Sequence, residues 1–389
     1  MKILFANFEY PPLGGGGGVI NALLAEELAG RHEVSVLTSQ GPGQPRESME
    51  QGVRVIRVPV LFRRKQAAAS MISMLSYVLR GASAGSQFLK QHPHDIINTH
   101  FALPSGPVGD RLSRRFDIPN VLSVHGGDLY DPSKATSPHR HAPLRSWIRR
   151  LARRADRVVG QSRNTLDNLT TYYTPELPGV RIPLGIRRPP EGTSVRSKYG
   201  CSEDEVLFII VGRVVARKAI HQLVNMMARL SGLKARLLVV GDGPLIPDLK
   251  RQAQEVGAAE RVRFLGRVAE DEKFHLLRMS DAFISTSQHE GFGLVYLEAM
   301  ACAIPVVCYD YGGQTDFLEQ DVTGHLVPLN DEADFERRCR QLAEDRESCA
   351  RMGKHNLVRV EEYFIENCAA RYETLFEEVL RERSQRGDG

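Results

Sequence analysis

The chain has 389 residues, enough for two or three domains with their own hydrophobic cores. Its 42% apolar and 25% charged residues are typical of a globular protein, and no apolar run approaches the roughly 20 residues of a membrane span. The net charge of +4 hides an asymmetry, because residues 1–190 carry 25 Lys and Arg against 14 Asp and Glu, whereas the remainder carries 26 against 33. We therefore expect the basic first half to face an anionic partner.

The N-terminal segment MKILFANFEYPP has one lysine and a short apolar run before two prolines, which predicts a first strand rather than a signal peptide. All six cysteines lie in the second half without C-x-x-C spacing, at positions 201, 302, 308, 339, 349 and 368. This usage is typical of reduced, mostly buried thiols, so we expect a cytoplasmic protein.

Apolar runs of strand length alternate with helical patterns along the whole chain. In the first half they are 2–7, 32–38, 53–60, 95–100, 120–125 and 157–162, and in the second half 206–214, 235–241, 262–268, 282–287, 305–310 and 324–328. Such alternation is typical of parallel sheets covered on both faces. The proline-rich segment 186–198 predicts a linker. The sequence thus predicts an α/β protein with two Rossmann-like, doubly wound domains that face a central cleft, where ligands bind at the carboxyl ends of the strands.

Two glutamates bracket a glycine turn in HEGFGLVYLEAM, residues 289–300. Glu290 is expected at the end of a strand, and Glu298 about one turn into the following helix. A strand, a glycine turn and a helix together aim unpaired backbone N–H groups at an anion. Carboxylates beside such a site can accept hydrogen bonds from hydroxyl groups, which suits a sugar joined to a nucleotide. The alternative is a buried crossover with solvated glutamates.

Arg213 and Lys218 follow the first strand of the second domain, in VGRVVARK. Two cations near a helix start can neutralise a diphosphate that gains charge as it leaves. The alternative is a solvated basic turn.

Three features of the first half also follow strand ends. Five glycines at 14–18 precede a helix expected to begin near Val19, and they would let backbone amides approach a phosphate or sugar, although a mobile loop is the alternative. His125 ends a strand and is expected to hydrogen-bond a sugar hydroxyl or steer an acceptor. His100 ends another strand and is the weaker candidate, and for both the alternative is a structural histidine.

The chain has no D-x-D sequence and no His/Cys cluster with metal-ligand spacing. No metal or other cofactor is therefore predicted, and the two cations and the helix amides are expected to balance the phosphate charge.

In this order, the motifs resemble those of the retaining nucleotide-sugar glycosyltransferases of family 4, which have the two-domain GT-B fold. HEGFGLVYLEAM resembles the E-x7-E signature of that family, and VGRVVARK resembles its G-R…K signature. The resemblance implies an N-terminal acceptor-side domain over 1–188, a nucleotide-sugar-binding domain over 189–364 and a C-terminal helix, 365–389, that crosses back to the first domain.

The resemblance also implies roles for individual residues. Arg213 and Lys218 would bind and stabilise the leaving diphosphate. Glu290 would contact the hydroxyls of the donor sugar, Glu298 the ribose, and His125 would lie beside the reacting sugar. Backbone atoms would complete the donor site at Gly16, Gly17, Val268, Phe292, Gly293 and Leu294.

The implied reaction moves a sugar, most readily from a UDP- or GDP-sugar, to an acceptor hydroxyl with retention of the anomeric configuration, in the synthesis of a glycolipid, polysaccharide or other glycoconjugate. The leaving phosphate would accept the proton of the acceptor, without a metal ion. Another GT-B enzyme, such as a nucleotide-sugar epimerase or a phosphorylase, is an alternative. A non-catalytic binding protein that uses the basic first half is a second alternative.

The chain departs from the family pattern at three positions. Ala219 and Ala303 stand where glycine is usual, and we expect each to add only a methyl group. Asp316 stands where glutamate is usual, and it puts details of donor binding in doubt.

Two basic segments predict association with an anionic membrane surface and a lipid-linked acceptor. Residues 139–157 hold seven arginines and an apolar stripe that includes Trp147, and residues 61–81 combine a basic cluster with an apolar stretch. The alternative for residues 139–157 is that the apolar stripe packs on the sheet. Nucleic acid is not an expected partner, because no aromatic-interleaved basic groove or known module is present.

Overall fold

The computed structural model describes residues 1–63, 70–177, 179–192 and 195–387. Parts of three predicted segments lie outside the described residues: 64–69 of the basic segment, 193–194 of the linker and 388–389 of the C-terminal helix. The chain forms two compact units, the first made of Met1–Arg187 and Phe364–Gly389 and the second of Arg188–Tyr363.

The first unit contains an eight-stranded sheet in the order β3-β4-β2-β1-β5-β6-β7-β8. Its strands are β1 (Lys2–Asn7), β2 (Glu33–Gln40), β3 (Glu47–Glu50), β4 (Val53–Pro59), β5 (Ile96–His100), β6 (Asn120–Val124), β7 (Arg157–Gly160) and β8 (Val180–Arg181). The pairing is parallel except for β3, which runs antiparallel to β4. The six predicted strands are confirmed. The strands β3 and β8 were not predicted, because they are short and lack an apolar run.

Helices cover both faces of this sheet, as buried parallel strands require. They are α1 (Gly16–Ala29), α2 (Met71–Gln91), α3 (Gly106–Phe116), α4 (Ala142–Arg154), α5 (Arg163–Tyr172) and the C-terminal α12 (Ile365–Gly387). Alternate residues of each strand point to opposite faces, so that Ile3 and Phe5 pack with α1 and α12, whereas Leu4 and Ala6 pack with α2 and α3.

The second unit contains a six-stranded, fully parallel sheet in the order β11-β10-β9-β12-β13-β14. Its strands are β9 (Val206–Val211), β10 (Ala235–Val240), β11 (Val262–Gly266), β12 (Ala282–Ser285), β13 (Val306–Tyr309) and β14 (Gly324–Val327). Its helices are α6 (Ile220–Arg229), α7 (Ile246–Glu255), α8 (Glu270–Met279), α9 (Leu294–Ala301), α10 (Glu332–Glu344) and α11 (Arg346–Val360). The strand order reverses between β9 and β12, and ligands of doubly wound sheets bind at such a switch point.

The chain returns to the first unit after Tyr363. The Ile365 N–H donates to the carbonyl oxygen of Ile186 at 2.9 Å, and α12 then buries Tyr372 and Phe376 in the core of the first unit. All six cysteines are free thiols, five of them buried and Cys349 half-buried, as predicted. None of the helices in the described ranges combines the length and the apolarity that a membrane span needs.

Candidate active site

The two strands at the switch point of the second unit bring Lys218, one of the two predicted cations, together with Glu290. β9 and β12 are hydrogen-bonded neighbours, and each continues into a loop at its carboxyl end. The loop after β9 contains a 3-10 helix, Ala216–Lys218. Two hydrogen bonds join the loops: Gln288 N–H donates to the Arg217 carbonyl at 2.9 Å, and the Thr286 hydroxyl donates to the Lys218 carbonyl at 3.2 Å.

Glu290 is a buried carboxylate held between two cations. Lys218 Nζ binds its Oε1, and Arg217 Nη1 lies 3.1 Å from its Oε2. Both Glu290 and Lys218 are 8% exposed. Burial by itself raises the pKa of Glu290, but Lys218 and Arg217 outweigh it and lower the pKa to about 2. Glu290 is therefore ionised at neutral pH and can accept hydrogen bonds.

Arg217 was not predicted, although it directly precedes Lys218 in the sequence. Arg213 was predicted, and it lies exposed in the loop that follows β9. The 3-10 turn explains why Arg217 and Lys218 both reach Glu290, since it curls two consecutive side chains towards the end of β12.

The glycine turn after Glu290 positions the start of α9. Gly293 is the N-cap residue and has a φ of +92°, which side-chain-bearing residues rarely adopt. The Gly313 N–H donates to the Glu290 carbonyl at 2.8 Å, and a Cβ on Gly313 would lie 2.0 Å from the Gly291 oxygen. This close approach requires glycine. The first N–H groups of α9, including that of Leu294, have no partner within the helix.

The side chain of Phe292 is part of the core. It is 4% exposed and packs against Phe317 with ring centroids 5.2 Å apart. Only the backbone of Phe292 is therefore suited to the expected role in the donor site.

Glu298, expected to bind ribose, has an ionic partner in the structure. Lys273 Nζ of α8 lies 2.7 Å from its Oε1, and both side chains are largely buried. Burial raises the pKa of Glu298, and Lys273 opposes this effect. Lys273 was not predicted, because nothing in the sequence places α8 beside α9. Val268 lies half-buried between β11 and α8.

The first glycine segment is corrected by the structure. The helix that was expected near Val19 begins at Gly16, so Gly16 and Gly17 lie in the first turn of α1 rather than in a loop before it. A Cβ on Gly17 would lie 2.5 Å from Cζ of Phe101. The glycine thus allows Phe101 to pack on the helix start.

His125 lies in a buried aromatic and polar cluster of the first unit. Its ring lies 4.4 Å from that of Phe101, and its Nε2 lies 3.0 Å from Nδ1 of His100, the weaker candidate. The backbone N–H of His125 donates to Asp128 Oδ1 at 2.8 Å. Burial lowers the pKa of His125 to about 4 and holds the pKa of His100 well below its usual value, so both imidazoles are neutral at pH 7.

The two alanines that replace glycine do more than add a methyl group. Ala219 has a φ of +45° and Ala303 a φ of +60°, both in the left-handed region. An L-residue there costs about 1–2 kcal/mol relative to its usual conformations. The expectation of a neutral substitution was wrong, because it considered side-chain volume and not backbone conformation. Asp316 ends the 3-10 helix Gly313–Asp316, whose first residue packs against Gly291.

The apolar stripe of residues 139–157 packs on the sheet. Ile148 and Leu151 are buried, and Trp147 packs against the same core cluster. For residues 139–157, the alternative that the apolar stripe packs on the sheet is therefore correct. In α2, by contrast, several apolar side chains are exposed.

Two family profiles together match most of the chain. Glycosyl transferases group 1 matches residues 193–357, and Glycosyl transferase 4-like domain matches residues 15–185. The chain belongs to the family 4 glycosyltransferases. The predicted membership is confirmed, and the chain is a glycosyltransferase.

Similar proteins cover nearly the whole length of this glycosyltransferase. N-acetyl-alpha-D-glucosaminyl L-malate synthase of Bacillus anthracis is 28% identical over 98% of both chains. Sucrose-phosphate synthase from Thermosynechococcus elongatus has a TM-score of 0.85 at 22% identity, covering 98% of this chain and 100% of that one. Anabaena HepE in complex with UDP-glucose has a TM-score of 0.75 at 20% identity, covering 96% and 99%. These likenesses confirm the GT-B fold class.

Proposed function

We propose that this glycosyltransferase moves a sugar from a UDP- or GDP-sugar to an acceptor hydroxyl with retention of the anomeric configuration. The observation that carries the proposal is the buried cluster of Glu290, Lys218 and Arg217 at the switch point of the second sheet. It combines cations for a diphosphate with a carboxylate for sugar hydroxyls beside a helix N-terminus. The complex of HepE with UDP-glucose supports a nucleotide-sugar donor.

In the proposed reaction, Lys218 and Arg213 bind the diphosphate and stabilise its charge as it leaves. The bond between C1 of the sugar and the phosphate oxygen breaks, and the acceptor oxygen bonds to C1 from the same face. The acceptor proton passes to the leaving phosphate oxygen. Glu290 has no proton to give at neutral pH, so its role is to position sugar hydroxyls. The proposal includes no metal ion or other cofactor.

The donor is identified by thermal-shift measurements with UDP-, GDP- and ADP-sugars, followed by NMR of the product formed with candidate acceptors. We expect one donor to stabilise the protein and the product to keep the anomeric configuration of that donor. An inverted product would overturn retention. Conversion of the donor without any acceptor would favour the epimerase alternative.

Glu290→Gln tests the carboxylate at nearly constant volume. We expect kcat to fall by about 10²–10³-fold, because this is the usual effect of removing one preorganised group that stabilises the transition state. Glu203→Gln is the control, because Glu203 is 83% exposed on the surface of the same unit. Full activity of Glu290→Gln would contradict the proposed site.

We further propose that the enzyme is a cytoplasmic protein that binds the anionic inner face of a membrane through its first unit and uses a lipid-linked acceptor there. The observation that favours this is the apolar face of α2. Met71, Ile72, Leu75 and Leu79 are 72%, 51%, 55% and 71% exposed, whereas serines, glycines and Tyr77 of the same helix are buried.

Basic side chains border this apolar face. A cavity of about 570 Å³ lies between α2, α3 and α4, lined by Leu79, Trp147 and five arginines, namely Arg111, Arg114, Arg115, Arg150 and Arg154. Within the part of the chain that the structure describes, Asp110 is the one acidic residue in the lining of this cavity. Apolar side chains beside clustered arginines suit a bilayer of anionic phospholipids, since the arginines can bind head-group phosphates while the leucines enter the acyl region.

Flotation with phosphatidylcholine vesicles, with and without phosphatidylglycerol, tests this surface. We expect the protein to bind only vesicles that contain phosphatidylglycerol. The double variant Arg111→Gln/Arg150→Gln should bind these vesicles about 30-fold more weakly, because each basic residue contributes about 1 kcal/mol at such a surface. Leu75→Ser with Leu79→Ser should also release the protein.

The matched controls lie on α11 of the second unit. Arg346→Gln with Arg359→Gln makes the same change of charge at exposed positions, and Leu357→Ser with Val358→Ser removes two exposed apolar side chains. Equal binding to vesicles with and without phosphatidylglycerol, or equal losses in the controls, would overturn the membrane proposal.

A further inference from the structure

A continuous row of hydrogen-bonded side chains lies behind His125 in the first unit. Its members come from α12, β6 and β5, and four of them are no more than 2% exposed. The distances are 3.0 Å from Tyr372 Oη to Ser123 Oγ, 3.0 Å from Ser123 Oγ to Asn98 Oδ1, 2.9 Å from Asn98 Nδ2 to His100 Nε2, and 3.0 Å from His100 Nδ1 to His125 Nε2.

The first half of this row has a fixed direction of donation. Burial raises the pKa of Tyr372, so its hydroxyl keeps its proton. In the described structure that hydroxyl donates to Ser123 Oγ, and the Ser123 hydroxyl donates to Asn98 Oδ1. The Asn98 side chain then presents its NH₂ group to His100, because its oxygen is already the acceptor for Ser123.

The hydrogen bond from Asn98 determines which nitrogen carries the proton in each of the two imidazoles. Both rings are neutral at pH 7, and a neutral imidazole has one donor and one acceptor nitrogen. His100 Nε2 accepts from Asn98, so the His100 proton lies on Nδ1 and is donated to His125 Nε2. The proton of His125 must then lie on its own Nδ1.

His125 Nδ1 is buried and has no hydrogen-bond partner within the described residues. Buried donors without a partner are rare in native structures, so the Nδ1–H group at the end of this row of satisfied groups is suited to donate to a ligand atom. The Phe101 ring is tilted by 34° against the imidazole with centroids 4.4 Å apart, and this contact limits rotation of the His125 ring away from its orientation.

We propose that Ser123, Asn98 and His100 form a tautomer relay that fixes His125 as an Nδ1–H donor to an oxygen atom of the bound substrate. The inference rests on the proposed function for the identity of that substrate. His125 then donates a hydrogen bond in the reaction and has no lone pair at Nδ1 with which to act as a base. Asn98, Ser123 and His100 are positioning residues that act through it.

The His125 tautomer can be measured without any substrate. In the protein labelled with ¹⁵N-histidine, the imidazole nitrogen shifts of His125, assigned by their loss in His125→Gln, should show protonation at Nδ1. Protonation at Nε2 would overturn the relay. Because this measurement needs no catalysis, it stands even if no donor sugar is transferred, and failure of the proposed function is thus distinguishable from failure of the relay.

Two substitutions at His100 separate positioning from packing. His100→Gln keeps one acceptor for Asn98 and one donor for His125. His100→Leu keeps a side chain of similar size but removes both hydrogen-bonding groups. We expect His100→Leu to produce mixed His125 tautomers and to lower kcat about tenfold, the effect of one lost hydrogen bond, while His100→Gln stays close to wild type.

Tyr372→Phe is the matched control, because Tyr372 lies outside the relay and donates only to Ser123, so its loss leaves the bond from Ser123 to Asn98 in place. It should lower stability more than it changes the His125 tautomer or kcat. An unchanged tautomer in His100→Leu, or equal losses of kcat in both His100 variants, would show that His100 has only a structural role and would overturn the proposal.

Discussion

Opposing effects act on the carboxyl group of Glu290. Burial favours its neutral form, and the two cations Lys218 and Arg217 favour its charged form, which prevails. The sequence predicted Glu290 and Lys218 at neighbouring strand ends. It could not predict that Arg217 rather than Arg213 completes the cluster, because that choice depends on how the 3-10 turn orients consecutive side chains.

The stability of the second unit should depend on the ionisation of Glu290. Its folded pKa of about 2 lies below the ordinary value of 4.5, so its contribution is fully present above pH 4.5 and is lost as the pH falls towards 2. The shift corresponds to roughly 3 kcal/mol. We expect Glu290→Gln to be less stable than wild type at neutral pH, with a gap that narrows below pH 4.5, in urea unfolding followed over this range.

Glu203→Gln provides the comparison for this titration, since Glu203 is largely exposed. It should unfold like wild type at each pH. A stability gap for Glu290→Gln that stayed constant down to about pH 3 would contradict the role of charge and would indicate a packing defect.

Among the elements, α2 and α4 show why an amphipathic pattern does not by itself identify a membrane surface. Both segments carry apolar residues at helical spacing next to arginines. In α4 the apolar side packs on the sheet, whereas in α2 small and polar residues such as Ser73 and Ser76 are buried and Leu75 and Leu79 are exposed. The helix faces are set by packing, which periodicity alone does not reveal.

The end of α9 contains a strained alanine that glycine should relieve. Ala303 is exposed and has a φ of +60°, so Ala303→Gly removes little buried surface and permits the left-handed conformation without strain. We expect the free energy of unfolding to rise by about 0.5–1 kcal/mol, less than the strain itself, because glycine also gains freedom in the unfolded chain. Chemical denaturation of both proteins measures this difference.

Ala228→Gly is the opposite case within the same unit. Ala228 lies in α6, where glycine costs about 1 kcal/mol relative to alanine. The same chemical change should therefore stabilise the protein at position 303 and destabilise it at position 228. Destabilisation at both positions would show that the backbone at Ala303 is not strained.

For the whole molecule, the C-terminal helix α12 belongs to the first unit although it follows the second in the chain. Phe376 is fully buried in the core formed by β1, β2 and α1. Phe376→Ala should therefore lower the stability of the first unit by about 3–5 kcal/mol and leave the second unit unaffected. Hydrogen exchange measured by mass spectrometry reports protection in each unit separately.

Phe335→Ala is the counterpart for the second unit, where Phe335 of α10 is 2% exposed. It should lower protection in residues 188–363 and spare α12. If Phe376→Ala instead reduced protection mainly in the second unit, the assignment of α12 to the first unit would be wrong.

The sequence by itself determined the α/β class, twelve of the fourteen strands found in the described part of the chain, and the fact that Glu290, Lys218 and His125 follow the carboxyl ends of strands. These features depend on apolar runs and on glycine and proline turns, which are local in the chain. The tertiary structure decided which side chains meet: Arg217 with Glu290, Lys273 with Glu298, and His100 with His125. Those contacts exist because the sheet order places β9 beside β12 and β5 beside β6, and α8 packs beside α9, so that residues distant in sequence become neighbours.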